Sequence, residues 1–244
     1  MEGRNLISRA GPVLAFALLG ACAGHGSAPA GAPAPEAPAA GTAPGPVASV
    51  DPAALADSIR RATMLRGPRN LTFGWELDEA GAKFRGRGVA RVSPPNRIRL
   101  DLFGPRGETY LAAALVDETP RVPAALEGKI PMPSPALLWG ALGVVRPPAA
   151  ARLVSATAGA LRYEAGAEGT IEYRLDSGAL RSVRRLVRGG LKESIDITRG
   201  AGGAVQRAEY RDWSAYRTLT LTTESSTDVE PFPEDTWTPP GTGR

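Results

Sequence analysis

Over most of the chain after residue 70, apolar and polar residues alternate with a period of two. In 71–78, Leu71, Phe73, Trp75 and Leu77 alternate with Thr72, Gly74, Glu76 and Asp78, which predicts a half-buried strand. Beyond the turn Glu79-Ala80-Gly81, Phe84, Ala90 and Val92 share a face with Gly86 and Gly88, while Lys83, Arg85, Arg87 and Arg91 line the other. Ile98, Leu100 and Leu102 alternate with Arg97, Arg99 and Asp101. Three successive strands of this kind predict an antiparallel meander with one apolar and one wet face. The run 110–116 is apolar on both faces and is expected to be covered on both sides. Further strands are predicted at 151–156, 160–165, 169–175, 180–188, 192–198, 204–211 and 216–224. Turn chemistry links them, as in Asp176-Ser177-Gly178 and Arg199-Gly200-Ala201-Gly202-Gly203.

Two stretches change period. Asp51-Pro52 supplies an N-cap and a first-turn proline; Leu55, Ile59, Ala62 and Leu65 follow at helical spacing, and Gly67-Pro68 is the stop signal. The second stretch, KIPMPSPALLWGALGVVRPP (129–148), interrupts the strands. Pro131, Pro133 and Pro135 forbid a central strand. Ser134 is placed to cap a short helix with Pro135 at its first position and Gly143 just past its end. Leu138 and Leu142 share a face with Trp139 beside it, and the apolar side of the sheet is where they would go.

The N-terminus has a different character. Arg4 and Arg9 precede the apolar run Val13-Leu14-Ala15-Phe16-Ala17-Leu18-Leu19, too short to span a bilayer, which needs about 20 apolar residues. Gly20 and Ala21 then lead to Cys22, the only cysteine of the 244 residues. This is the pattern of a secretory signal over 1–21. Residues 23–50 are almost wholly Ala, Pro, Gly, Ser and Thr and are expected to be a disordered tether with a reach between roughly 30 and 85 Å. Residues 51–244 are then expected to form one mainly β domain with short helices.

Charge and composition narrow the chemistry. The net charge of +4 is dispersed, its densest cluster being Arg181, Arg184, Arg185, Arg188 and Lys192, which as strand residues divide between two faces. That cluster fits a solvated sheet surface or contact with anionic headgroups; no nucleic-acid-reading motif is present. The single histidine, His25, lies in the tether, so the domain has neither His nor Cys. Histidine-dependent triads, Cys–His pairs and the usual zinc sites are thereby excluded. Glu76, Asp78, Glu108, Asp117 and Glu172 show no spacing that favours a catalytic carboxylate pair. GRGVAR (86–91) sits in a charged alternating strand, not before a helix, so it is no dinucleotide fingerprint. No catalysis, cofactor or metal is expected.

Leu19-Gly20-Ala21-Cys22 resembles the lipobox of bacterial lipoproteins, which implies that Cys22 is acylated after the signal is removed. Lipobox, tether, first helix, one-sided meander and proline-bounded helix together resemble the LolB family of outer-membrane lipoprotein receptors and the wider LolA/LolB-like group. Two stretches carry the likeness: NRIRLDLFGPRGETYLAAALVD (96–117), and IPMPSPALLWGALGV (130–144) with Ile130-Pro131, Pro133, Trp139 and Leu142-Gly143 at matching spacing. The resemblance implies an open antiparallel half-barrel with a helical lid, whose apolar face receives acyl chains. Leu71, Phe73, Trp75, Phe84, Ile98, Leu100 and Leu102 would line that cavity, with Leu138, Trp139 and Leu142 as lid.

The implied role is a monomeric, lipid-anchored protein on the outer membrane, facing the periplasm. It would take acylated lipoproteins or lipids as cargo, with a periplasmic LolA-like carrier as partner. Ala23 and Gly24 after Cys22 carry no Asp inner-membrane retention signal of the enteric type. The family's Pro-x-Gly loop bears a large apolar residue implicated in membrane delivery, whereas here the loop is Pro105-Arg106-Gly107. A cation meets phosphates but does not enter hydrocarbon. The alternative is a non-transporting envelope lipoprotein that holds a protein partner or senses lipid through the same sheet; side chains plugging the cavity would favour it.

Overall fold

Local alternation brings the strands into being, but long-range pairing decides where the inner face lies. The computed structural model describes residues 51–126 and 132–242; the signal segment, Cys22 and the tether lie outside the described residues, as do Ile130 and Pro131. Among the described residues the chain forms α1 (Pro52–Thr63), β1 (Arg69–Glu79), β2 (Ala82–Ser93), β3 (Arg97–Phe103), β4 (Thr109–Val116), β5 (Thr119–Arg121) and α2 (Pro135–Ala141). The second half is β6 (Arg152–Thr157), β7 (Ala160–Glu164), β8 (Thr170–Asp176), β9 (Ala179–Val187), β10 (Gly190–Arg199), β11 (Val205–Asp212) and β12 (Arg217–Asp228). All these strands join one open antiparallel sheet in the order β5-β4-β3-β2-β1-β12-β11-β10-β9-β8-β7-β6. The predicted strands are present within a few residues of their expected ends.

This order is two meanders joined at the middle. The chain runs outward from β1 to the edge strand β5, crosses to the opposite edge at β6, and returns strand by strand to β12, which pairs with β1 along its full length. The crossing segment must therefore pass over one face of the sheet. It does so with α2 packed on β9, β10 and β11, which defines the inner face.

Side-chain size sets the packing of β1 on β2. Trp75 lies opposite Gly86 and Phe73 opposite Gly88. A Cβ on Gly88 would stand 2.3 Å from the Phe73 ring, and one on Gly86 would stand 1.9 Å from the Phe103 carbonyl oxygen. The two glycines leave the space that the aromatic rings fill. The Trp75 indole N–H reaches across to the carbonyls of Arg87 and Phe103, at 3.0 and 3.1 Å.

Helix α2 ends where its sequence says it should. Gly143 has φ +78° and donates to the Gly140 carbonyl at 2.8 Å, while Val144 donates to the Trp139 carbonyl at 3.1 Å. These are the two bonds of a Schellman C-cap, with Trp139 and Val144 in hydrophobic contact across it. At the other end Ser134 occupies the N-cap without a side-chain hydrogen bond. Helix α1 is capped by the Asp51 carboxylate, which accepts from Ala53 N at 3.0 Å, and it buries Ala56 and Ile59. It stops at Thr63, short of Gly67-Pro68; Ala62 is exposed, and Leu65 packs beyond the helix end.

The outer face departs from expectation. Residues 111–116 are buried throughout, as the two-sided apolar run required. Their outer cover is the C-terminal segment, whose short 3-10 turn Glu234–Trp237 packs on β3 and β4. Trp237 is buried and stacks edge-on with Phe232 at 5.8 Å. Arg99 and Arg121 donate to the carbonyls of Thr236 and Trp237, at 2.9 and 3.2 Å. Under this cover Asp101 is buried between Arg91 and Arg99, with N–O distances of 2.6 and 2.9 Å. The charged face of β3 is thus not wet. Two carboxylate-bound guanidinium groups make its burial tolerable.

Candidate binding cavity

The buried residues of the inner face fall into three clusters, bridged by the half-buried Leu219 and Leu71. One cluster joins α1 and α2 to β7–β11, with Leu137, Tyr173, Val183, Ile195 and Tyr210 among its members. A second, on β1–β4, is built on Phe73, Trp75, Leu102 and Leu111. A third gathers Val92, Ile98, Leu115, Trp139 and Val144. Between the first two, over the β1–β12 junction, lies a cavity of about 180 Å³. Its walls are Trp75, Leu77, Leu100, Leu102, Leu111, Leu219 and Leu221 from the sheet, with Ile195 and Tyr210 on the far side. Met132, Pro133, Leu137, Leu138 and Ala141 roof it.

Its polar groups gather at one end. Glu79 and Arg217, paired in register on β1 and β12, form an ion pair there. Tyr110 beside them is 37% exposed and marks the mouth. Burial, and next the Glu79 charge, raise the Tyr110 pKa above the ordinary phenol value. Burial also raises that of Tyr210, aided by its 2.6 Å bond to the buried Glu193 carboxylate, which Arg185 also holds. Both phenols therefore stay neutral. Among the described residues no Ser, Thr, Cys, Lys or His lines this cavity, and no cluster could hold a metal ion. What the walls can do is replace water around an apolar group.

Of the residues singled out in the sequence, Trp75, Leu100, Leu102 and Leu138 meet at this cavity. Phe73 and Ile98 are buried in the flanking clusters, and Leu71 is half-buried between them. Phe84 is 42% exposed, its ring 6.0 Å from that of Tyr110, so it stands at the rim and not in the lining. Trp139 and Leu142 turn away from the cavity into the third cluster, and Arg146 caps the Trp139 ring at 5.1 Å. As a lid, α2 presents Leu137, Leu138 and Ala141 instead. The missed lining residues include Leu77, Leu219 and Leu221, all at alternating positions of β1 and β12, and that alternation was the available signal.

Pro105-Arg106-Gly107 forms the exposed β3–β4 turn. Gly107 has φ +82° and donates to Gly104 O at 3.0 Å, and Arg106 N donates to the Glu108 carboxylate at 2.9 Å. The Arg106 guanidinium has no ion-pair partner among the described residues. In strand register this turn lies at the same end of the sheet as Tyr110 and Glu79.

No protein-family model matches the chain, and no curated protein matches it in sequence. Solved structures do match. A domain from Vibrio parahaemolyticus, described as an outer membrane lipoprotein-sorting protein, superposes with a TM-score of 0.54 at 11% identity, covering 76% of this chain and 95% of its own. A LolA superfamily protein from Nitrosomonas europaea gives a TM-score of 0.49 at 11% identity, covering 75% of this chain and 97% of its own. At such identity the likeness is one of fold: this chain has the open-sheet architecture of the Vibrio sorting domain.

Proposed function

We propose that this chain is a lipid-anchored lipoprotein whose domain takes the acyl chains of lipoproteins or lipids into the inner-face cavity and helps localise them to the outer membrane, without catalysis. The observation that carries this reading is the apolar gap between two halves of the core, roofed by α2 and left unfilled by the side chains of the described residues. A cavity of about 150 Å³ holds a benzene ring, so about 180 Å³ suits some six carbons of an acyl chain. At about 0.8 kcal/mol per buried CH₂, that segment contributes on the order of 5 kcal/mol. A longer chain requires the half-buried Leu138 and Met132 to yield. The lipoprotein-sorting description of the Vibrio domain with this fold supports the same class of cargo.

In this reading Cys22 carries the acyl anchor and residues 23–50 are the tether. The domain faces the periplasm as a monomer, cargo comes from a LolA-like carrier, and Pro105-Arg106-Gly107 faces the membrane. Native mass spectrometry of the purified protein should find co-purified lipid, and a fluorescent fatty acid should bind and be displaced by unlabelled fatty acid. Leu138→Trp fills the cavity and is expected to weaken that binding roughly ten-fold or more, since several buried methylenes lose their site, with the melting temperature nearly unchanged. Absence of lipid together with probe binding indifferent to Leu138→Trp would refute the proposal.

A further inference from the structure

The strands do not end level. The last residue of β3, Phe103, is paired with Arg87, and Arg87 with Gly74 of β1. From there β1 runs on to Glu79, paired with Arg217 of β12, which is paired in turn with Asp212 of β11. Those five further residues span about 16 Å at 3.3 Å each. The β1–β2, β11–β12 and β9–β10 turns thus lead this edge, and Pro105-Arg106-Gly107 is set back behind them. The three leading turns are neighbours: Ala80 N donates to Tyr216 O, and Trp213 N donates to Lys192 O at 2.9 Å.

These turns carry large apolar residues in the open. Tyr216 is 83% exposed and Trp213 47%, whereas Trp75, Trp139 and Trp237 are each 2% exposed. Leu191 and Phe84 are exposed on the adjoining strands. Tyr216 has φ +50°, a region that disfavours bulky residues, and the turn is fixed by the Asp212 carboxylate, which accepts from Ser214 N, Ser214 Oγ and Ala215 N. Arg188 and Lys192 are exposed beside them and have no ion-pair partner among the described residues. Of the acidic groups on these strands and turns, Glu79 is engaged by Arg217, Asp78 by Lys83, Glu193 by Arg185 and Asp212 within its turn. Glu168, on the turn against the end of β9, is half-buried and not ion-paired among the described residues. Exposed Trp and Tyr flanked by free cations match the chemistry of an anionic bilayer interface, where the rings sit at headgroup depth and the cations meet phosphate.

We infer that the edge formed by Trp213, Tyr216 and Leu191 with Arg188 and Lys192 docks on an anionic lipid surface, and that the β11–β12 turn is its leading contact. It stands beside the cavity mouth but does not require that the cavity bind lipid. The test uses the full chain reconstituted on vesicles whose lipids carry bromine in their acyl chains, so that an indole entering the interface is quenched; Trp213→Phe isolates the signal of that indole. Trp213 fluorescence is expected to be quenched on phosphatidylglycerol-rich vesicles and far less on phosphatidylcholine alone. Arg188→Glu with Lys192→Glu, at exposed positions that leave the fold intact, is expected to lower the docked fraction roughly ten-fold. Trp213 left unquenched on anionic vesicles, or quenched equally on both lipids and in the double variant, overturns the inference and leaves the edge to a protein partner. Fatty-acid binding measured on the same variants should be unaffected, which separates failure here from failure of the cavity reading.

Discussion

Gly88 has no side chain because the Phe73 ring occupies the place where one would be. Gly88→Ala puts a methyl 2.3 Å from that ring, and the ring is locked among Trp75, Ala90 and Leu102. Overpacking of this sort costs about 1–3 kcal/mol. At roughly 2–4 °C per kcal/mol for a domain of this size, the melting temperature followed by circular dichroism should fall by about 2–12 °C. Asp212 is a different case. Burial raises its carboxyl pKa, but the hydrogen bonds from Ser214 and Ala215 outweigh that and hold it below the ordinary value of 3.8. A depressed carboxylate stabilises the fold above its unfolded-state pKa, and the contribution is lost as pH falls through the lower folded value. The β11–β12 turn should therefore loosen only below about pH 4. Asp212→Ala should remove that acid transition from the Trp213 emission while lowering neutral-pH stability by about 1 kcal/mol.

At the scale of elements, α2 tests how far sequence reading reaches. Its start, its Schellman end and its place on the apolar side of the sheet all follow from local chemistry. Which side chain faces the cavity does not follow. A seven-residue helix held between two halves of a core has no solvent face to orient it, so the Leu138/Leu142 stripe and the neighbouring Trp139 are equally apolar candidates. Packing resolves this by burying Trp139 among Val92, Ile98 and Leu115, while the half-buried Leu138 packs on the edge of that cluster and also lines the gap. The two should behave differently. Trp139→Ala is expected to cost about 3–5 kcal/mol and show as a large fall in melting temperature, whereas Leu138→Ala should be milder and alter fatty-acid affinity. The strands were legible because period-two alternation is local. The pairing of Arg69 with Asp228 was not, because no local signal links partners so distant in the chain. Nor was the cover on β3 and β4, since Phe232 and Trp237 lie among Pro, Glu, Asp and Thr without a period.

For the molecule as a whole, the cavity mouth, the leading aromatic turns and the Arg106 turn share one end of the sheet, so a domain docked by that end would present its cavity to the lipid. Arg106 has a secondary place in this arrangement because its turn is set back behind β1, β11 and β12. Its free charge should still draw the edge toward phosphates, and added salt should weaken that pull, since charges are screened within about 8–10 Å at physiological ionic strength. Arg106→Leu leaves the turn intact: Gly107 holds its positive φ and its bond to Gly104 O, and the Glu108 carboxylate still accepts the backbone N–H of residue 106. The variant should show less salt dependence on anionic monolayers and deeper penetration into them. The gain should be smaller than the loss caused by Trp213→Ala, because the leading turn meets the lipid first. Equal penetration by wild type and Arg106→Leu would remove the Pro105-Arg106-Gly107 turn from the membrane face and leave the contact to Trp213 and Tyr216.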